Sequence, residues 1–348
     1  MMKVLVTGGN GFIGSHLAEH YYIQGADVSI LDNFSRSNLY ETPNWDSTLN
    51  WKYLKKRCPK IQMLNEDVRN VTRMMDVSQG VDVIIHTAAQ VAVTTSLVSP
   101  ITDFEINARG SLNILEAARK NDAAVLFCST NKVYGENINQ IPTHETDTRY
   151  HYSDTRYKRG IPESFSIDHS GHSPYGCSKL SADIYMQDYA HTYDLKTCVF
   201  RLSCIYGERQ LGIEDQGWVA WFTTATILGK PITIFGDGKQ VRDILYIQDL
   251  VNAFDAFLDS GIKHDVFNIG GGADNTISLL ELIDLLTMKT GISPNLSFSN
   301  WRSGDQKVYI SDISKAKEKL NWEPETSLNN GIDRLVNWVL DNKPIFEI

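Results

Sequence analysis

The chain begins with Lys3-Val4-Leu5-Val6-Thr7-Gly8-Gly9-Asn10-Gly11-Phe12-Ile13-Gly14, and the rest of the fold can be placed from this stretch. Lys3 to Thr7 is an apolar, β-branched run of the kind that forms a fully buried strand. A glycine-rich turn follows, and a helix is expected over Phe12 to Gln24. Gly8, Gly11 and Gly14 are spaced G-x-x-G-x-x-G, and Gly9, Gly11 and Gly14 also fit G-x-G-x-x-G. A side chain at such positions would block a tight turn, the approach of a pyrophosphate, or helix-on-strand packing. The helix N-terminus behind the turn offers that pyrophosphate free N–H groups and partial positive charge. A second apolar run, Asp27 to Leu31, ends in Asp32, about 20 residues past the glycines, where an acid takes the adenosine ribose hydroxyls. Strand, glycines, helix, strand and acid in that order point to a dinucleotide site. Asp32 would repel a 2′-phosphate, which favours NAD over NADP; Arg36 beside it pulls the other way.

The chain has 348 residues and a net charge of −9. That length allows one large domain or two, with an ample core. The acidic balance argues against nonspecific nucleic-acid binding, so an anionic ligand must be met by local cations. The N-terminus runs straight into a strand with no apolar signal region, and no apolar run is long enough to span a membrane. The five cysteines, Cys58, Cys128, Cys177, Cys198 and Cys204, are scattered and form no C-x-x-C pair. Neither a zinc site, nor any other metal, nor a disulfide framework is indicated, and a reducing, cytoplasmic setting is expected.

Strands and helices alternate through the first two hundred or so residues. A polar stretch from Asn33 to Pro59 reads as a loop with a short helix. Strand Ile61 to Leu64, helix Asn70 to Val77 and strand Val81 to His86 come next. A long helix, Ile101 to Lys120, leads to strand Ala124 to Cys128. Helix Pro174 to Tyr193 precedes strand Lys196 to Leu202. This alternation predicts an α/β fold with a doubly wound, Rossmann-type parallel sheet. Between Glu136 and His172 lies an irregular segment too long for an ordinary loop, read as a substrate-side excursion, with surface disorder as the alternative. Beyond Tyr206-Gly207 loops lengthen and strands shorten. Residues 1–206, with returning segments near 240–270, are therefore expected to form the cofactor domain, and 207–348 mainly a smaller α/β substrate lobe.

A second anchor is Tyr175-Gly176-Cys177-Ser178-Lys179, at the start of a helix, with Pro174 suited to the first turn. Residues four apart share a helix face, so a phenol and an ammonium lie side by side. Tyrosine, with a pKa near 10, is a poor base at neutral pH, and adjacent positive charge lowers it. A lowered phenolate can take a proton from a sugar hydroxyl while hydride leaves the same carbon. Thr130, at a strand end one unit earlier, would supply a third hydroxyl. Tyr-x-x-x-Lys occurs only here among 15 tyrosines.

Together these residues resemble the extended short-chain dehydrogenase/reductase superfamily, nucleotide-sugar branch, over nearly the whole chain. The resemblance implies catalytic roles for Thr130, Tyr175 and Lys179. It implies cofactor contacts from Gly8, Gly11, Phe12, Ile13, Gly14, Asp32, Asn33, Ser35 and Arg36. Asp67 and Val68 would flank the adenine. Ala88, Ala89, Gln90, Asn107, Ser129 and Ser203 would lie along the cofactor, with Tyr175 and Lys179. Phe235-Gly236-Asp237-Gly238-Lys239-Gln240-Val241-Arg242-Asp243 and Arg302-Ser303-Gly304-Asp305 resemble segments that bring arginines to a diphosphate and an acid to a ribose. Guanidinium forks suit phosphate oxygens. Arg209, Cys204, Gln90, Gln240, Arg242, Arg302 and Asp305 are thus substrate-side candidates. The branch usually dimerises through the helices here placed at Ile101 to Lys120 and Pro174 to Tyr193, so a homodimer or homotetramer is expected. Phe104, Leu112 and Leu115 could face a partner or the sheet.

Dehydratases of this family carry an Asp-Glu pair directly after the catalytic Thr, where this chain has Asn131 and Lys132, and the glutamate usual in its decarboxylases is absent too. Oxidation followed by hydride return, an epimerisation with tightly held NAD, is the better reading. Residues 129–135, 145–150, 173–179, 215–222 and 238–243 further resemble the branch's CDP-hexose 2-epimerases, which make a dideoxy sugar of bacterial O-antigens. That resemblance adds Thr130, Asn131, Lys132, Arg149 and Tyr150 as sugar-side candidates and favours a CDP-hexose. A 4-epimerase or 4-reductase acting on a UDP-sugar, or a noncatalytic NAD-binding protein on the same fold, stays open.

Overall fold

The computed structural model describes residues 1–39, 45–302 and 304–346. Part of the polar stretch after Asp32 (40–44) and Ser303 of the Arg-Ser-Gly-Asp segment lie outside the described residues.

A seven-stranded sheet carries the fold. Its strands lie side by side in the order His264–Ile269, Thr197–Leu202, Ala124–Thr130, Val83–His86, Lys3–Thr7, Asp27–Asp32 and Gln62–Asn65, all parallel. The register pairs Val4 with Val28 on one side and with Val83 on the other. Alternate side chains of a strand face opposite ways, and helices cover both faces. Val4, Val6, Ile30, Val83 and Ile85 join Leu17 and Phe254 in one core, while Leu5, Leu31, Ile84 and Phe127 join Ile114, Leu115 and Met186 in the other. Each such side chain contributes about 1.5–3 kcal/mol by leaving water. Leu115 is therefore a sheet-facing core residue, whereas Phe104 is exposed.

The first helix spans Phe12–Ile23 and the second strand ends at Asp32. Among the described residues of the polar stretch there are two helices, Arg36–Leu39 and Leu49–Arg57, rather than one. Helix Val71–Val77 begins at Asn70, whose side chain accepts the Arg73 amide. The expected helix from Ile101 to Lys120 is not uniform. It runs as Pro100–Phe104, a π turn Glu105–Arg109, and Gly110–Asn121. Single π turns inside helices often sit at functional positions, and this one holds Asn107.

The 136–172 segment is ordered. After a 3-10 stretch (Asn131–Gln140) it forms a hairpin, Thr143–Glu145 against Tyr150–Tyr152. Its side chains Ile138, Ile141 and Ile161 close a small core with Val133, Tyr134 and Tyr309. The segment thus braces the end of strand Ala124–Thr130 against the C-terminal residues. There, smaller sheets pair Val241–Tyr246 with Cys204–Tyr206, Thr276–Ser278 and Val308–Tyr309, and Ile232–Phe235 with Leu296–Ser299. Among the described residues no helix is long and apolar enough to cross a membrane.

Candidate active site

In an open parallel sheet, ligands sit beyond the C-terminal strand ends where the order reverses. Here that point lies between Lys3–Thr7 and Val83–His86. The glycine turn fills it tightly. Gly8 has φ +71, and a Cβ there would lie 2.8 Å from the Ala88 nitrogen. A Cβ on Gly14 would lie 2.3 Å from the Gly8 carbonyl oxygen. The Gly11 amide donates to that same carbonyl at 2.9 Å. Bare backbone and a helix N-terminus are what a pyrophosphate needs at close range.

Asp32 stands at the rim, accepting the Asn10 amide at 3.0 Å and the Phe34 amide at 2.9 Å. Burial pushes its carboxyl above the usual range. Asp67 is half-buried, which works in the same direction, yet Arg69 and Asn33 donate to it and hold its carboxyl down at about 2. Phe12, Ile13, Asn33, Ser35, Arg36, Val68, Ala88 and Ala89 line the same cleft as the glycines, Asp32 and Asp67. Arg36 also reaches across to the Leu211 carbonyl and to Gln216 Oε1. The donor set fits a dinucleotide: backbone for the diphosphate, carboxylates for ribose hydroxyls, and apolar Val68 for a base.

A second cleft of about 400 Å³ continues from the first, with Val91 and Gln216 lining both. Thr130, Asn131, Lys132, Tyr175, Ser203, Cys204, Gln240, Arg242, Arg302 and Asp305 all line it. Thr130 ends its strand and accepts the Lys132 amide at 3.2 Å. Tyr175 sits in the first turn of helix Ser173–Tyr193. Lys179 is buried behind it, with Nζ donating to the Cys128 carbonyl at 2.7 Å and lying 4.1 Å from the Phe127 ring centre. Burial lowers the Lys179 ammonium to about 8. Lys132 is likewise lowered by burial, and its Nζ donates to the Gly304 carbonyl at 3.2 Å. Gln240 Nε2 donates to the Phe235 carbonyl at 2.6 Å, while its Oε1 is buried without a hydrogen-bond partner among the described residues.

Both diphosphate-candidate arginines are ion-paired. Arg242 meets Asp305 at 2.5 Å, and Arg302 meets Asp215 at 2.8 Å while lying 3.8 Å from the Phe235 ring centre.

Several expected residues lie elsewhere. Arg209 turns away from the sugar cleft, pairing with Glu19 at 2.6 Å and stacking on Tyr53. Arg149 pairs with Glu281 and bonds Thr276, fixing the hairpin to helix Leu279–Thr290. Tyr150 donates to Asp237 at 2.5 Å. Neither lines the cleft. Ser129 donates at 2.8 Å to Asp183, on helix Ser173–Tyr193. Gln90 and Asn107 are buried and bond each other, the Gln90 amide donating to Asn107 Oδ1 at 2.9 Å. Asp215, Gln216 and Trp218 line the cleft without having been marked out individually. The one available signal was the Gly217-Trp218 helix start inside a segment singled out only as a whole. Among the described residues no group of three His, Cys, Asp or Glu side chains could hold a metal.

A family model described as the NAD dependent epimerase/dehydratase family matches residues 4–270. The chain is 41% identical to CDP-paratose 2-epimerase of Salmonella typhi over 97% of its length and 99% of that protein's. The structure of UDP-glucose 4-epimerase with UDP-glucose from Thermotoga maritima is similar at a TM-score of 0.80 and 31% identity, covering 98% of this chain and 100% of that one. UDP-glucuronic acid 4-epimerase from Bacillus cereus, in complex with UDP-glucuronic acid and NAD, is similar at 0.80 and 28%, with the same coverage.

Proposed function

The chain belongs to the NAD dependent epimerase/dehydratase family, and from that premise we propose that it inverts carbon 2 of a CDP-hexose. It is an NAD-dependent enzyme of the nucleotide-sugar epimerases. The observation that carries the choice of reaction is Asn131 and Lys132 directly beside Thr130 in the cleft. An amide and a buried ammonium stand there, so no acid neighbours Thr130 to drive loss of water. The choice of carbon 2 and of cytidine is supported by the 41% identity to CDP-paratose 2-epimerase.

When bound, NAD supplies reversible hydride transfer at the cleft. Tyr175 takes the proton of the reacting hydroxyl, and Thr130 orients that oxygen. The Lys179 ammonium stabilises the phenolate by proximity of opposite charge. Tyr175 then returns the proton after the ketone has turned its other face. Such a turn needs the nucleotide held still while the sugar swings. Arg242 and Arg302 do this by exchanging Asp305 and Asp215 for phosphate oxygens, and the same grip retains the keto-sugar. Lys132 contacts the sugar side. The exposed apolar side chains Ile101, Phe104, Ile184 and Tyr185, on the two helices through which the family usually dimerises, form the face for a second copy of the chain.

The test is product analysis by proton NMR in deuterated water, with CDP-, UDP- and GDP-hexoses and no added NAD. A 2-epimer without deuterium at carbon 2 is expected. A second reading, inversion at carbon 4 of a UDP-sugar, is favoured by the two solved 4-epimerases and predicts a 4-epimer. Deuterium at the inverted carbon would refute hydride return altogether. Absence of turnover on every sugar nucleotide despite bound NAD would favour a noncatalytic role.

A further inference from the structure

Beneath the catalytic helix lies a carboxylate with no part in the chemistry described so far. Asp103, in helix Pro100–Phe104, is 1% exposed. Its Oδ1 accepts Gln90 Nε2 at 2.6 Å and Asn107 Nδ2 at 3.1 Å, and its Oδ2 accepts Ser178 Oγ at 2.5 Å. Amide nitrogens can only donate, so Oδ1 accepts; at Oδ2 the Ser178 hydroxyl donates, which favours the ionised carboxyl against burial that pushes it up. None of these three partners is a cation. A buried charge held only by neutral donors needs a compensating charge nearby.

The candidate for that compensation is Lys179, next in sequence to Ser178. The groups facing Lys179 can be taken element by element. On its own helix, Asp183 is matched by Arg201, whose Nε and Nη2 reach its two oxygens at 3.0 and 3.1 Å, so its charge is already cancelled. Tyr175 is the phenol that Lys179 serves. From strand Ala124–Thr130 come the Phe127 ring and the Cys128 thiol, which burial pushes up to about 12 and which is therefore neutral. From strand Val83–His86 comes His86, held neutral by burial at about 3. Helix Pro100–Phe104 brings Asp103, the one negative charge in this set that no guanidinium or ammonium already neutralises.

We propose that Asp103 is a positioning residue for the proton-transfer pair: its carboxylate is the counter-charge that keeps Lys179 an ammonium ion, and its bonds to Ser178, Gln90 and Asn107 clamp the catalytic helix to the cofactor side of the sheet. The proposal rests on the reading of Tyr175 and Lys179 as that pair. Burial works to strip the proton from Lys179; Cys128 and Asp183 oppose it ahead of Asp103, but the first is a neutral thiol and the second is already matched by Arg201. Asp103→Asn removes the charge and keeps a partner for each bond. The new Nδ2 would donate to Ser178 Oγ, whose own proton can stay on the Tyr175 carbonyl, 3.0 Å away.

The experiment is a titration of the NAD-loaded enzyme labelled with 13C at lysine Cε, with Lys179 assigned by Lys179→Arg. Asp103→Asn should lower the Lys179 midpoint by about one pH unit, a tenfold change in the protonation ratio. The alkaline limb of kcat should move down by the same amount. Ser178→Ala, which loosens the clamp but keeps the carboxylate, should lower kcat and leave that limb nearly in place. An unmoved Lys179 midpoint in Asp103→Asn overturns the proposal, even if the rate falls. Should that variant fail to fold, 13C NMR of the wild-type aspartate carboxyls, with Asp103 assigned by Asp103→Glu, still decides. A protonated Asp103 at neutral pH overturns the proposal, and a carboxylate supports it. The titration involves no sugar, so it judges Asp103 alone, whereas the epimerase reading is judged by the product assay.

Discussion

Asp215→Asn should tighten the binding of a nucleoside diphosphate. Arg302 Nη2 lies 2.8 Å from Asp215, and the two side chains are 28% and 45% exposed. A pair this open to solvent is worth about 0–1 kcal/mol. A diphosphate that must displace Asp215 therefore loses about 1 kcal/mol at most, or roughly fivefold in affinity. Removing the competitor should recover that factor and no more. Arg302→Met should act in the opposite direction and more strongly, since a charge-assisted bond to phosphate contributes about 1.5–3 kcal/mol, roughly 10- to 150-fold. Its effect should fall on binding rather than on kcat, because the role proposed for the guanidinium is to hold the diphosphate and not to move a proton. In the Arg302→Met background, Asp215→Asn should change nothing, as Asp215 then has no guanidinium to withhold. Calorimetric titration of the NAD-loaded protein with CDP and UDP, at low and high salt, measures all three. If Asp215→Asn weakened binding tenfold, Asp215 would be a ligand contact and not a placeholder. Undiminished affinity in Arg302→Met would remove Arg302 from the diphosphate site.

Tyr175→Phe should abolish turnover, by about 10²–10⁴-fold or more, while NAD extracted from the purified protein stays at the wild-type amount. Gly14→Ala places a Cβ 2.3 Å from the Gly8 carbonyl oxygen and 2.8 Å from Thr87 Oγ1; the variant should purify without NAD and melt at a lower temperature. In the proposed mechanism Lys179 acts as a cation, and its ammonium is lowered to about 8. The alkaline limb of activity should thus fall as the pH rises through that value, and a pH–kcat profile flat well above it would refute the assignment.

The cofactor half of the molecule was legible because its requirements are local. A buried strand, a turn too tight for side chains and an acid at the next strand end each constrain a few consecutive residues. The parallel sheet, the helix beginning at Phe12 and the glycine cradle follow from that stretch. Long-range pairing was not legible. Arg149 and Arg209 read as free cations in a nucleotide-binding protein, but each already has a carboxylate brought from far along the chain: Glu281 for Arg149 and Glu19 for Arg209. Arg209 also has φ +64, so the backbone turns its side chain toward helix Phe12–Ile23, and a residue pattern does not record that turn. The π turn at Glu105–Arg109 was hidden for a related reason. It brings Asn107 within reach of Gln90, Asp103 and Ser178, contacts that span elements and leave no mark in the local spacing.

Lys132 joins the reaction to the grip on the nucleotide. Its backbone amide holds Thr130 Oγ1, and its ammonium reaches Gly304 in the segment that carries Arg302 and Asp305. One residue thus spans from the hydroxyl proposed to orient the reacting oxygen to the loop proposed to meet the diphosphate. A carboxylate there could collect a proton from carbon. An ammonium near Arg242, with burial already working against its charge, is instead placed to meet an anion or a hydroxyl. Lys132→Met should therefore lower kcat/KM by about 10- to 150-fold, the value of one charge-assisted bond, with NAD content unchanged. Loss confined to KM would place Lys132 on the diphosphate, and loss shared with kcat would place it on the sugar. A variant with wild-type kcat/KM would leave the ammonium a structural tie to Gly304, and the contrast with the acid-bearing dehydratases would then rest on Asn131 alone.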